Sequence, residues 1–350
     1  MIKYEVFIEQ PTIDFYRQGY CPREDYTYLG LWVGGMFSGA SGKRYHGERA
    51  LGDIAPGVAR ATQLVELHQN MNDFSPDLYP ELPVDQMEPY QYSESADALH
   101  FVGENIRLDI REGSYDWSDA KGRWELHVEL LGQACTWFIP TQKGMAAPMH
   151  YRSQIGHATG QINGDPIEGF SLLDFIYSHP GVIWFELPLW RTVEKQWSMW
   201  MVKYTDGEID GGFAWKGQGK TGFSAGHLLQ NGVSKAVSDA RIFTTYNERG
   251  LVHKSRIEIG GEVVELEHDS CSLFPIHTHG RVASTSRGKQ IANSWDYTEW
   301  VPDNIAELVD RYVMTETRPS REAQQQARIE NERLTYPEHL PVVQATTPKP

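Results

Sequence analysis

From about residue 98 onward the chain repeats one pattern: short segments of alternating apolar and polar side chains, separated by turns rich in Gly, Asn and Asp. LHFVGENIRLDIREG sets Ile106, Leu108 and Ile110 against Arg107, Asp109 and Arg111. RWELHVELLGQ sets Trp124, Leu126, Val128 and Leu130 against Arg123, Glu125, His127 and Glu129. A period of two belongs to a half-buried strand; a helix would return its apolar face every three to four residues. More strand candidates follow at short spacing, including HATGQING, DPIEGFSLLDF, QWSMWMVKYTDG, DARIFTTYNERG, LVHKSRIEIGG and EVVELEHDSC. The turns NGD, DG, NERG and GG supply the positive φ that tight hairpins need. The rhythm predicts an all-β chain of sandwich or barrel type.

Outside the alternating region the pattern weakens. YLGLWVGGMFSGASGKRYHGE (28–48) is an apolar run broken by Gly pairs, and NDFSPDLYPELPVDQMEPYQY (72–92) is rich in Pro and acid. The first 90 residues or so therefore read as irregular. SYDWSDAKG reads as the loop of a hairpin. PDNIAELVDRYVMTE (302–316) opens with Pro and places Ile305, Leu308, Val309 and Val313 at helical spacing, predicting a short C-terminal helix. The expected division is a first β domain over 1–185, a second over 186–316, and a polar helix and tail over 317–350.

Composition narrows function. In 350 residues there are 11 Trp, 17 Tyr and 13 Phe, enough aromatic surface for a sizeable core. A formal net charge of −15 with no basic stripe argues against nucleic acid and against anionic membranes. No apolar run is long enough for a membrane helix, and the charged N-terminal stretch MIKYEVFIEQ is not a signal peptide. Cys21, Cys135 and Cys271 are scattered and form no CxxC, as in a reducing compartment, so the expected location is cytoplasmic. GQGKTG (217–222) has the spacing of GxGxxG and GFSAG (222–226) that of GxSxG, but no helix pattern follows either, so neither reads as a dinucleotide fingerprint or a nucleophile elbow. KGQGKTG (216–222) also fails the phosphate-loop pattern and reads as a turn. No cofactor is expected on this reading, and the oligomeric state is left open.

One stretch carries chemistry. GQINGDPIEGFSLLDF (160–175) places Gly-containing turns around a strand that ends on Asp174 among Phe170, Leu172, Leu173 and Phe175. The motif Y-x-S, G-x-I-x-G, G-x-S-x-x-D, followed by Trp-rich strands and a DG hairpin, resembles the lipocalin-like hydratase group. That group includes carotenoid 1,2-hydratases, AttH-like proteins and fungal Diels–Alderases. The matching residues are Tyr151, Ser153, Gly160, Ile162, Gly164, Gly169, Ser171 and Asp174, then Trp197, Trp200, Asp206 and Gly207. The group usually continues the Asp with a Trp-Gly pair, where this chain reads DFIYSHPG.

The resemblance implies two lipocalin-like antiparallel barrels or curved sheets with a hydrophobic channel between them. It also implies proton transfer without a redox cofactor. Protonating an isolated alkene requires a carboxyl kept neutral in a dry site. The cation that forms is stabilised by aromatic faces. Asp174 is the expected acid, Glu186 a second carboxylate, and Trp184, Trp190, Trp200, Tyr204 and Trp295 the expected substrate-binding residues. Trp197 and Trp200, three apart, cannot both face one cavity on a regular strand. The structural alternatives are that Asp174 pairs with Arg191 or Lys203 and that the Trp residues are core.

EHDSCSLFPIHTHGR (267–281) puts His277 and His279 two apart, both imidazoles on one strand face. This is a known metal-ligand spacing, yet no acid follows until Asp296, so a pocket-lining base is preferred to a metal site. SWDYTEW (294–300) sets Trp295, Tyr297 and Glu299 on one face and reads as an aromatic plug. The expected function is a hydratase, dehydratase, isomerase or cyclase acting on a hydrophobic unsaturated substrate. A non-catalytic carrier of a lipid or terpenoid ligand, and a His-ligated metal enzyme, are the alternatives.

Overall fold

The computed structural model describes residues 1–301 apart from 53–57, 68–76, 79–86, 120–121, 144, 146, 183–186, 188–192, 220, 249 and 272–276. The helix expected over 302–316 and the tail beyond it lie outside the described residues. Among the described residues no helix is long and apolar enough to cross a membrane.

The fold is all-β, in two curled antiparallel sheets. The first sheet begins with β1 (Glu5–Glu9), β2 (Thr27–Gly39), β3 (Arg44–Leu51), β4 (Val58–Leu67) and β5 (Asp77–Leu78). It continues with β6 (Met87–Glu94), β7 (Ala98–Gly103), β8 (Arg107–Arg111), β9 (Ser114–Ser118) and β10 (Trp124–Leu130). β11 (Ala134–Ile139), β12 (Met149–Ile162) and β13 (Asp165–Ser178) complete it. The N-terminal region read as irregular thus supplies regular strands: β2 pairs with β13 along nearly its whole length, and β3 and β4 follow outward. SYDWSDAKG is likewise no loop. Its first five residues are β9, with Tyr115 and Trp117 buried between the polar Ser114, Asp116 and Ser118.

The alternation of β10 is realised as read, with Trp124, Leu126 and Val128 inward and Glu125, His127 and Glu129 exposed. These residues, with Leu108, Ile110 and Phe101, fill the inside of the curled sheet. The sheet curls until β12 and β13 pair, which joins its two ends. β12 forks: its first half pairs with β11 and its second with β10.

β12 and β13 form a long hairpin whose turn is Asn163 (φ 51°) and Gly164 (φ 78°), the pair of positive φ values a two-residue type I′ turn demands. A further glycine of the motif, Gly169, is not in a turn. A Cβ there would meet the Met36 carbonyl oxygen at 2.1 Å, and one at Gly35 would meet the Phe170 carbonyl oxygen at 2.2 Å. The apparent strand-breakers are places where β2 and β13 approach too closely for any side chain. Asp174 accordingly sits within a 14-residue strand, not at the end of a short one.

The second sheet contains β14 (Gln196–Tyr204), β15 (Ile209–Lys216), β16 (Ser224–Gln230), β17 (Val233–Val237) and β18 (Arg241–Tyr246). β19 (Val252–Ile259), β20 (Glu262–Cys271), β21 (His277–Thr285) and β22 (Ile291–Trp300) follow. Its order is β17-β16-β15-β14-β22-β21-β20-β19-β18. SWDYTEW therefore belongs to a central strand, β22, rather than a terminal plug; it pairs with β14 on one side and β21 on the other.

The two sheets meet face to face along a seam. β13 turns Leu173, Phe175 and Tyr177 into the first core and Phe170, Leu172 and Ile176 into the seam. β14 does the same in the second sheet, with Trp197, Met199 and Met201 in the seam and Trp200, Val202 and Tyr204 behind it. Trp295 Nε1 donates to Ser38 Oγ at 2.9 Å, Lys203 pairs with Glu168 at 2.5 Å, and Arg44 grips Asp269 with two hydrogen bonds of 2.7 and 3.0 Å. Each of these contacts ties one sheet to the other.

His227 on β16 is fully buried against Phe213, and neither ring nitrogen makes a hydrogen bond. Burial lowers its pKa to about 4, so the unfolded chain takes up a proton below about 6.5 that the folded chain refuses. The stability it confers is present above pH 6.5 and lost as pH falls toward 4. His227→Leu is expected to leave chemical denaturation at pH 7 little changed and to be more stable than the native chain by about 2 kcal/mol at pH 5. Equal losses on acidification in both proteins would refute this.

Candidate active site

Register explains which side chains meet in the seam. On the first sheet Cys135, Ser153, Asp174 and Trp32 lie side by side across β11, β12, β13 and β2. One inward-facing position along, Leu172, Gly34 and Glu48 form the next row, and beyond it Phe170, Met36 and His46. On the second sheet Trp215, Trp197, Glu299 and His277 form one row across β15, β14, β22 and β21. Phe213, Met199, Tyr297 and His279 form the next.

The apolar half of the seam is a box of four rings, two from each sheet. Trp137 stacks on Tyr151 with centroids 4.2 Å apart, and Trp197 stacks on Trp215 at 4.7 Å. The two stacks meet edge to face, Trp137 to Trp215 at 5.0 Å and Tyr151 to Trp197 at 6.1 Å. The indole N–H groups of Trp137, Trp197 and Trp215 are all buried without a hydrogen-bond partner. An unpartnered buried donor costs about 1–3 kcal/mol, so three in one box are unusual.

Tyr151 links the box to Asp174, its hydroxyl donating to Oδ2 at 2.8 Å. Asp174 is 2 % exposed. Burial raises its pKa to about 7, the Ser153 and Tyr151 hydroxyls pull it back, and the charge of Glu299 pushes it up. Oδ1 makes no hydrogen bond of good geometry, although Ser153 lies directly opposite on β12. A carboxyl in this setting holds its proton near neutrality and has one oxygen uncommitted. Tyr151 in turn is driven well above the usual phenol range by burial and by Asp174.

Next to Asp174 the seam turns polar. The Glu194 carboxyl faces that of Glu299 closely enough for a hydrogen bond, and burial followed by the Glu299 charge raises its pKa well above the usual range. Tyr297 donates to Glu299 Oε1, and His277 Nε2 lies 3.8 Å from the same oxygen. His46 from the first sheet packs against both second-sheet histidines' strand, with ring centroids 4.6 Å from His279 and 4.9 Å from Tyr297. Burial lowers the pKa of His46, His277 and His279 alike, so these imidazoles are neutral bases at pH 7. One ligand atom each from His46, Glu48 and His277 lies within 4.8 Å of the others, the arrangement of a metal-binding triad.

The structure brings Asp174, His277, His279 and Trp295 to the same seam. Trp200 and Tyr204 face the opposite side of β14, into the core behind the second sheet, and do not meet Asp174. The spacing argument that separated Trp197 from Trp200 holds, with Trp197 in the seam. Trp184, Glu186 and Trp190, like Arg191, lie outside the described residues. Lys203 pairs with Glu168 and not with Asp174. Sequence reasoning did not single out His46, Glu48, Glu194 or Trp137. The spacing in RYHGERAL, which puts His46 and Glu48 on one strand face, was the available signal for the first two.

Neither a family model nor a curated protein sequence matches this chain. Among solved structures it is similar to an AttH-type protein from Nitrosomonas europaea, at 12% identity and a TM-score of 0.38 over 82% of this chain and 97% of that one. It is also similar to kievitone hydratase from Nectria haematococca, at 8% identity and a TM-score of 0.37 over 80% and 90% of the two chains. Likeness this distant leaves the chemistry of the seam to its own residues.

Because the folded pKa of Asp174 lies above its unfolded value, the native chain keeps a proton that the unfolded chain releases between about pH 4 and pH 7. The folded state is therefore penalised as pH rises through that window, by about 4 kcal/mol in full. Asp174→Asn mimics the neutral acid and removes the penalty. Its stability relative to the native protein, read from urea melts, is expected to rise across the window; a constant difference would show that Asp174 titrates normally.

Proposed function

We propose that this chain is an enzyme that transfers a proton to a hydrophobic, unsaturated small molecule, in the manner of a hydratase or dehydratase. Its two sheets act as two lipocalin-like domains, 1–185 and 186–316, around a shared seam. The observation that carries this reading is Asp174: a wholly buried acid with a pKa near 7 and one oxygen that makes no hydrogen bond of good geometry, linked through Tyr151 to a four-ring aromatic box.

Each part has a role in the forward direction. Asp174 gives its proton to one alkene carbon: its O–H bond breaks and a C–H bond forms. The positive charge left on the other carbon lies against Trp and Tyr faces, which stabilise cations without acting as nucleophiles. Water adds to that carbon and gives up a proton to a neutral imidazole of the His277/His279 pair, which returns one to Asp174, so that the net change is the addition of water. Run backwards, the same groups remove water. The free indole N–H donors of Trp137, Trp197 and Trp215 suit a substrate that carries a hydroxyl or carbonyl oxygen on its apolar frame.

The test is incubation of a hydrophobic metabolite extract with the native protein or with Asp174→Asn, followed by mass spectrometry. A compound shifted by the mass of water, or isomerised, only by the native protein supports the proposal. With such a substrate in hand, Asp174→Asn is expected to lose about 100- to 10,000-fold in turnover while binding changes little. If both proteins enrich one unchanged compound, the chain is a carrier and Asp174 is structural. The rate should fall as pH rises through about 7, where Asp174 ionises. Tyr151→Phe removes a hydrogen bond that lowers the pKa of Asp174, so it should move that limb to higher pH. A limb that stays in place would exclude Asp174 as its origin.

A further inference from the structure

His46 is buried at 2 % exposure, yet neither ring nitrogen makes a hydrogen bond of good geometry. His279 beside it is fully buried and equally without partners. Apart from the Gly35 backbone beside His46, these imidazole nitrogens find no partner in the chain, and each buried polar atom left unpaired costs about 1–3 kcal/mol. Such a cluster calls for something the protein chain itself does not provide. The residues around it are metal-ligand types, and they come from both sheets.

We propose that His46, Glu48 and His277 bind a divalent transition-metal ion of the Zn2+ class across the seam. His46 and Glu48 are two apart on β3 and so share a face, with His46 Nε2 4.0 Å from Glu48 Oε2. His277 reaches the same point from β21, and the three ligand atoms lie within 4.8 Å of one another. A tetrahedral ion about 2.1 Å from each ligand would set them about 3.4 Å apart, so closure needs only side-chain adjustments of about an ångström. Two imidazoles and one carboxylate match a borderline ion that keeps an open fourth position. His279 packs beside the site, its ring centroid 4.6 Å from that of His46, and is not one of the three ligands.

The surroundings favour a cation. Glu299 lies 3.8 Å from the His277 ring, and a carboxylate beside a ligating imidazole fixes its orientation and strengthens its basicity. The nearby Arg44 guanidinium is neutralised by its two hydrogen bonds to Asp269. A groove of about 700 Å3 at the edge of the seam is lined by Met36, Ser38, Arg44, Gly280 and Arg281 among others. Met36 is the cross-strand neighbour of His46, and Gly280 follows His279, so the groove runs beside the strands that carry the triad. Gly34, opposite Glu48, adds no side chain to crowd it.

The site stands whether or not Asp174 acts as an acid, and the experiment separates the two. The full chain is stripped with EDTA, dialysed, and titrated calorimetrically with ZnCl2. One equivalent per chain is expected, with affinity weakened by about 100-fold or more in each of His46→Gln, Glu48→Gln and His277→Gln. Asp174→Asn and the surface variant His127→Gln are expected to bind as the native chain does. Absence of saturable binding, or binding unchanged in His46→Gln and Glu48→Gln, would overturn the proposal. X-ray absorption at the zinc edge of the loaded native protein needs no variant: a shell containing two imidazoles supports the site, and one without imidazole overturns it.

Discussion

The structure depends on one constraint: the strands at the seam must bury both faces. β12, β13, β14 and β22 each turn one set of side chains into the core of their own sheet and the alternate set against the other sheet. Water is thereby excluded from both sides. The residues that face the seam then decide whether it is merely glue or a place for chemistry. Aliphatic and aromatic side chains hold most of it together. At one end a carboxylate-rich, imidazole-rich patch is enclosed with them, and burial there moves Asp174, Glu194, His46, His277 and His279 toward their neutral forms.

That uniform drift toward neutrality gives the patch its character. Asp174 and Glu194 become acids that retain protons, while His46, His277 and His279 become bases that lack them. Acid and base coexist a few residues apart without exchanging a proton to form an ion pair, because the pair would cost more in desolvation than it returned in attraction. A seam of this kind is poised to move protons onto and off a guest rather than among its own members.

How much of this was readable from sequence depends on exposure. Strands with one wet face announced themselves: Leu108/Ile110 against Arg107/Asp109, and Trp124/Leu126/Val128 against Glu125/His127/Glu129, are the period of two in plain view. The seam strands hide it, because both of their faces are apolar, as in QWSMWMVKY. Asp174 stood out for the same reason, as an acid with no polar neighbour to excuse it. His46 and Glu48 did not, because the Gly pairs around them resemble turn punctuation. In the fold, Gly35 serves close strand contact instead, and neither local propensity nor spacing distinguishes the two uses. The choice of Trp200 over Trp197 failed on parity alone: adjacent strand positions cannot say which face is which until a partner sheet is in place.

The close approach of β2 and β13 at Gly35 and Gly169 bears on more than packing. A strand shifted by one residue exchanges its two faces completely. Such a slip of β13 would deliver Leu173 and Phe175 to the seam and bury Asp174 inside the first barrel-like core, among side chains that offer it nothing. It would also thrust a Cβ into backbone at each point where the two strands now touch. Two hydrogen atoms in place of side chains thus work as keys in a lock, and what they secure is the identity of the carboxyl that the second sheet meets.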